Sequence, residues 1–318
     1  MTGTRELRVG TRGSALALAQ ANHVADRLAR LTGGGVSLVH ITTAGDTSDE
    51  PLHSMGGTGV FVTGVREALL RNECDVAVHS LKDLPTAVHP DIVMGAVPPR
   101  ADERDCLCAR DGIELRDLPA GARIGTGSPR RAAQLRALRS DLDVVDVRGN
   151  VDTRLRKVQT GELDAVVLAR AGLERLDRLD AISEDFDPVT FVPAPGQGAL
   201  AIEHRSADHD DLSAGDLIRA IREMDDPHSR AAVVAERAVL AALEAGCSAP
   251  IGAWARTVDS ATGVPQLELT AIVIAVDGSA AIRKSATGEL SRAEELGREL
   301  AAQLLAEGAA GLMKERVT

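Results

Sequence analysis

Two kinds of residue in this chain stand where they could do chemistry. The first is Cys247, in the stretch GCSAPIG at 246–252. A cysteine between glycine and serine fills core space poorly, and it has no neighbouring cysteine to pair with, so the thiol itself is what needs explaining. The second is a set of arginines: Arg12 beside Ser14, Arg130 and Arg131 beside Ser128, and Arg148, Arg154 and Arg170 around strand ends. A guanidinium presents a planar fork that binds a carboxylate through paired hydrogen bonds. Strand-end arginines in an acidic chain therefore suggest a ligand with several carboxylates. Singly, each reads equally well as a solvated or salt-bridged side chain; their repetition favours the ligand. HSLKDLP at 79–85 adds Lys82 and Asp83. In a cleft whose other charges are cationic, a lone carboxylate can stabilise a developing cation or pass a proton. Opposite charges about 4 Å apart interact by ~4 kcal/mol at an effective dielectric near 20, which matters to a barrier.

The elements that must hold these residues alternate between strand and helix. LRVG gives way at Ser14 to SALALAQANHVADRLARL, with apolar residues at helical spacing and Ser14 suited to cap the first turn. ARIGTGSPRRAAQLRAL repeats the plan, with Ser128 as cap and Pro129 at the first helical position. A second matching pair, ECDVAVHSLKD at 73–83 and ELDAVVLARAG at 162–172, runs from an acidic turn through a buried strand into a loop. The expected fold class is α/β, with two lobes of similar design. Each lobe offers a helix N-terminus at a strand end, where unpaired N–H groups and partial positive charge favour a carboxylate or phosphate.

The last hundred or so residues have another texture. SRAAVVAERAVLAAL reads as a helix, LELTAIVIAV and AAIRKSATGEL as strands joined by the Asp277–Gly278 turn, and SRAEELGRELAAQLLAEG as a closing amphipathic helix. This predicts a smaller α+β unit with an antiparallel sheet, carrying Cys247. FVPAPGQGALAIEHR, with prolines and glycines around Gln197, reads as a crossing between lobes that returns to an apolar strand. The expected domains are 1–100 with 199–219, then 101–198, then 220–318.

Composition narrows the function classes. With 36 Lys+Arg against 47 Asp+Glu, the formal net charge of -11 opposes general attraction to nucleic acid or anionic lipid. The 4 cysteines show no disulfide ladder, and Cys106 and Cys108 lack the spacing of a zinc or redox pair, so they read as packing residues in a reduced chain. Without a cleavable signal or a bilayer-spanning apolar run, the expectation is a cytoplasmic protein with no metal and no membrane or nucleic-acid partner.

GTRGSALALAQ, HSLKDLP, IGTGSPRRAAQL, RGNVDTRLRK, APGQGALAIE and GCSAPIGAWA, in that order, together resemble the porphobilinogen deaminase (hydroxymethylbilane synthase) family. The resemblance implies two periplasmic-binding-protein-like lobes and a third domain that carries the cofactor cysteine. It implies a transferase of tetrapyrrole (haem) biosynthesis, acting as a monomer. That enzyme condenses four porphobilinogen molecules into hydroxymethylbilane, on a dipyrromethane cofactor held by a thioether. Cys247 would be the attachment point, with Gly246 and Ser248 leaving room for a pyrrole chain. Asp83 would be catalytic. Ser80, Lys82, Asp83, Thr126, Ser128, Arg130, Arg131 and Arg154 would hold the cofactor, while Arg12, Ser14, Arg148, Arg170 and Gln197 would meet porphobilinogen and the growing polypyrrole chain.

One stretch departs from the resemblance. TAGDTSDEPLHSMGGTGVFVTGVREAL corresponds to a loop over the active site where relatives carry lysines, yet the first lysine of this chain is Lys82. A lid built on Gly56, Gly57, Thr58, Gly59 and Phe61 would close by shape and backbone hydrogen bonds, without adding positive charge. The rival reading of the whole chain is a non-catalytic two-lobed carboxylate binder. It accounts for the repeated anion sites and leaves Cys247 and the third domain unexplained.

Overall fold

The computed structural model describes residues 6–43, 59, 62–209, 214–244, 249–260 and 263–313. The chain divides into two compact units, Met1–Arg100 with Ala199–Arg230, and Ala101–Gly198 with Ala231–Thr318.

In the first unit, β1 (Leu7–Arg12) runs into α1 (Ala15–Thr32) and β2 (Val36–Ile41); α2 (Thr63–Leu70), β3 (Val76–Ser80) and β4 (Ile92–Ala96) follow. The start of α1 is set locally. Ser14 is extended, and its hydroxyl accepts the Ala17 N–H at 3.3 Å, satisfying one of the orphan donors of the first turn. Gly33, at φ +66°, closes the same helix in the left-handed conformation that glycine adopts without a Cβ clash.

The second unit opens with β5 (Asp105–Ala109) and β6 (Arg123–Gly125). Then come α3 (Pro129–Leu138), β7 (Asp143–Val145), α4 (Val151–Gln159), β8 (Ala165–Ala169), α5 (Arg170–Arg175) and β9 (Glu184–Asp185). The chain returns to the first unit for β10 (Leu200–Arg205) and α6 (Gly215–Glu223), and α7 (Pro227–Ala242) then leads to the last domain.

The two large sheets share one plan. Their orders are β2-β1-β3-β10-β4 and β7-β6-β8-β5-β9. In each, the first three strands are parallel and the fourth runs antiparallel to its neighbours. The matching segments 73–83 and 162–172 thus supply the equivalent strands β3 and β8. The antiparallel place is taken by the late β10 in the first sheet and by the early β5 in the second. β8 is apolar throughout because both its faces are covered: Val167 packs with Ile124, Leu135 and Phe191, while Val166 and Leu168 pack with Val147, Leu155 and Leu173.

The last domain is an antiparallel sheet of β11 (Ile251–Val258), β12 (Gln266–Ile274) and β13 (Ala281–Glu289), with α8 (Ala293–Ala306) after it. Val239, Leu269, Val273, Leu300 and Leu304 form its core. β11 was not among the strands expected from the sequence. The Asp277–Gly278 turn docks on α3: Arg136 Nη1 donates to Val276 O at 2.9 Å, and a Cβ at Gly278 would meet Ala137 N at 2.7 Å. Glycine is required there twice over, since its φ is also +77°.

Candidate active site

In the first unit the site is built at the carboxyl ends of β1 and β3, where a parallel sheet exposes its ligand-binding edge. Arg12 ends β1, Ser80 ends β3, and the single turn Leu81–Asp83 carries Lys82 and Asp83. A cavity there is lined by Arg12, Ala17, Gln20, Val62, Val78, His79, Ser80 and Asp83. Ser80 is oriented by Gln20, whose Nε2 donates to its Oγ at 2.8 Å. Ser14 stands at the N-terminus of α1, beside this cavity in sequence, and Lys82 is half-buried.

Through its lining residue His79 the cavity adjoins a buried charge network. Glu203 of β10 accepts Arg66 Nε at 2.9 Å and Nη2 at 2.6 Å, and its Oε2 lies 3.3 Å from His79 Nε2. Burial raises the Glu203 carboxyl, but Arg66 and His79 outweigh it and hold the group at about 2. Neither Gln20 nor His79 was singled out from the sequence as a site residue. Gln20 did leave a signal: it is the one polar side chain on the buried face of α1, among Ala21, Val24, Ala25 and Leu28.

In the second unit two helix N-termini rise from neighbouring strands. Ser128 caps α3, its Oγ accepting Arg131 N at 3.5 Å, and Asn150 caps α4, its Oδ1 accepting Thr153 N at 2.9 Å. Thr126 is buried and its Oγ1 accepts Ser128 N at 3.2 Å, which stiffens the turn between β6 and α3. The turn is closely packed at Gly127: a Cβ there would come within 2.9 Å of Val147 O and 4.0 Å of Arg154 Nη2. Arg154 is held by its Nε, which donates to Gly149 O at 2.9 Å. Burial, with repulsion from Arg131 and Arg148, pushes its guanidinium down to about 10. Arg148 itself lies 4.0 Å from Asp146.

The remaining expected residues are placed differently. Arg130 and Arg131 are buried, 3% and 6% exposed, and both pair with Asp105, at 2.7 Å each. Gln197 is also buried, donating to Glu103 O at 2.8 Å and Asp105 Oδ1 at 2.9 Å. Arg170 lies among carboxylates, 3.4 Å from Asp102, 3.2 Å from Asp185 and 3.9 Å from Glu174. Arg175, not picked out from the sequence, is a further cation depressed by burial, and its Nη2 donates to Gly198 O at 2.6 Å.

Cys247 lies outside the described residues, as do Gly56, Gly57, Thr58 and Phe61 of the expected lid. Gly59 is described: its carbonyl accepts the N–H groups of Val62 and Thr63, so it anchors the start of α2. Among the described residues no cluster of side chains could hold a metal ion, and no helix is long and apolar enough to cross a membrane.

The profile described as "Porphobilinogen deaminase, dipyromethane cofactor binding domain" matches residues 7–213, and that of the porphobilinogen deaminase C-terminal domain matches 231–306. The chain belongs to the porphobilinogen deaminase family. It is 53% identical over 320 residues to porphobilinogen deaminase 1 of Streptomyces coelicolor, covering 98% of each chain. It is 55% identical over 315 residues to porphobilinogen deaminase of Leifsonia xyli, covering 96% of this chain and 94% of that one. Among solved structures, a methionine-binding lipoprotein of Bacillus subtilis aligns over 68% of this chain and 90% of its own, at 13% identity and a TM-score of 0.41.

Proposed function

We propose that this chain joins four porphobilinogen molecules head to tail, with loss of ammonia, to make hydroxymethylbilane on a dipyrromethane primer linked to Cys247. The observation that carries this reading, beside family membership, is the ligand chemistry of the second unit. Arg154 is a cation kept in a desolvated place next to Arg131 and Arg148, which Asp146 offsets only in part, and close to two helix N-termini. Such a site is unfavourable until an anion enters it. The acetate and propionate groups of a pyrrole chain are anions of that kind, so the residues present fit the primer. Thr126, Ser128 and Arg154 would hold it, with Arg130 and Arg131 completing the positive charge of the α3 end.

When bound, the primer supplies the terminal pyrrole carbon to which each new unit is joined. Each condensation expels ammonia from porphobilinogen, forms one carbon–carbon bond and frees one proton; after four, water would cleave the bond to the primer and supply the hydroxyl of the product. Asp83, on its short turn at the mouth of the first sheet, is the carboxylate that would hold pyrrole N–H groups, offset the positive charge left by ammonia and take up the proton. Arg12, Ser14, Arg148, Arg170 and Gln197 would receive the carboxylates of incoming substrate, with Arg170 exchanging one of its present carboxylate partners for the ligand. The glycine-rich 56–61 stretch would close over the reaction as a lid. The division into an Asp83 domain (1–100 with 199–219), an arginine domain (101–198) and a cysteine domain (220–318) belongs to the proposal. So do action as a monomer and a cytoplasmic location, the latter supported by the buried free thiols Cys74, Cys106 and Cys108.

Intact mass tests the reading. The wild-type protein should carry two condensed pyrrole units, peptide mapping should place them on Cys247, and Cys247→Ser should fold without the adduct or activity. Active protein without an adduct would refute it.

A further inference from the structure

The second unit contains a buried carboxylate that the proposed reaction does not use. Asp105 opens β5 and is 0% exposed. Its Oδ1 accepts Arg131 Nε and Gln197 Nε2, each at 2.9 Å, and lies 2.7 Å from Arg131 Nη2. Its Oδ2 lies 2.7 Å from Arg130 Nη1 without the alignment of a hydrogen bond. Each guanidinium is also held by a main-chain carbonyl, Arg130 Nη1 by Val192 O at 2.7 Å and Arg131 Nη1 by Val167 O at 3.0 Å. One carboxylate thus contacts two consecutive arginines in the first turn of α3, Arg131 by hydrogen bond and Arg130 by charge, and joins Arg131 to Gln197 in the crossing segment.

We propose that Asp105 is a positioning residue for the primer site: it fixes the guanidiniums of Arg130 and Arg131 where their charge acts on an anion at the N-terminus of α3. This rests on the deaminase reading above. Two arginines on one carboxylate leave a surplus positive charge, and the direction in which it acts depends on where the forks are locked. The arginines are too buried to reorient cheaply, since a guanidinium stripped of its partner keeps its desolvation cost. The carboxylate itself stays charged at all ordinary pH, because both arginines hold it at about 2 against the opposing effect of burial.

Positioning and plain neutralisation predict opposite results for Asp105→Asn. Removing the negative charge makes the site more positive by one unit. If Asp105 only neutralises, an anion binds Asp105→Asn as well as wild type or better. If it positions, binding falls although the charge favours it. Asp105→Glu keeps the charge and moves the carboxylate by one methylene, so it carries the same test in a protein with its ion pairs intact in number.

The experiment adds porphobilinogen to apoprotein of each form and reads the adduct by intact mass, in the folded fraction isolated by gel filtration. Trp254, the sole tryptophan, reports on local integrity: its Nε1 donates at 2.6 Å to Oε1 of Glu103, two positions from Asp105. The expected result is an adduct yield lowered about tenfold or more in both variants, with wild-type Trp254 emission. Wild-type yield in either variant would overturn the inference while leaving the deaminase reading intact. No adduct on the wild type would overturn both.

Discussion

Arg154→Met separates stability from loading, because the two should move in opposite directions. In the ligand-free protein the guanidinium stands at about 10 instead of its ordinary 12.5, which corresponds to about 3 kcal/mol of unfavourable environment. The side chain is half-buried, and allowing for solvent screening leaves about 2 kcal/mol. Methionine has similar length and no charge, so it relieves that cost and gives up only the hydrogen bond from Nε to Gly149 O, worth about 1 kcal/mol. The net expectation is a gain of about 1 kcal/mol, or a rise of about 2 °C in Tm for apoprotein near pH 7. The sign follows from the depressed value: the penalty is fully present below about pH 10 and is relieved only as pH rises from there toward 12.5. Primer loading should fall about 10- to 100-fold, the effect of losing one charge-assisted contact of about 1.5–3 kcal/mol. Differential scanning fluorimetry of apoprotein and intact mass after exposure to porphobilinogen read the two quantities. A variant that melts lower and loads normally would refute the reasoning, since Arg154 would then be a structural cation and not one held ready for an anion.

Asp83→Asn keeps the shape of the turn and removes its charge; turnover should fall at least ~10²-fold while the adduct is retained, as steady-state rates and mass will show. Gly10→Ala would set a Cβ 2.5 Å from Cys74 Sγ and 3.1 Å from Ile41 Cδ1, so it should cost about 1–3 kcal/mol in urea denaturation. Pairing it with Cys74→Ala should recover part of that loss, and additive costs would disprove the contact. Glu203, held at about 2 by Arg66 and His79 against an ordinary 4.5, contributes stability that is complete above pH 4.5 and is lost as pH falls toward 2. Glu203→Gln should flatten the fall in Tm across that window, and an unchanged slope would exclude the pair as its source.

What the sequence alone determined was whatever is encoded over a few neighbouring residues. Ser14 and Ser128 mark helix starts because a cap needs only its own hydroxyl and an N–H three residues on. β13 was legible because its exposure alternates residue by residue, whereas the first five residues of β11 are all buried, which erases the period-two pattern and hid the strand. The carboxylate turn, the arginine set and Cys247 were found as residue types in ordered motifs, and those motifs carried the family. Tertiary structure alone decided where each arginine points. Arg130 and Arg131 meet Asp105, 26 positions from Arg131, while Arg154 bonds to Gly149 O with Arg131, Arg148 and Asp146 around it. A guanidinium looks the same in sequence whether its partner is a ligand or a buried carboxylate. Gln20 meets Ser80 across 60 positions, and β10 slots between β3 and β4 from far along the chain. Such pairings are set by which strands lie side by side, and strand order is settled by burial of both sheet faces, a property of the whole folded sheet that no local window contains.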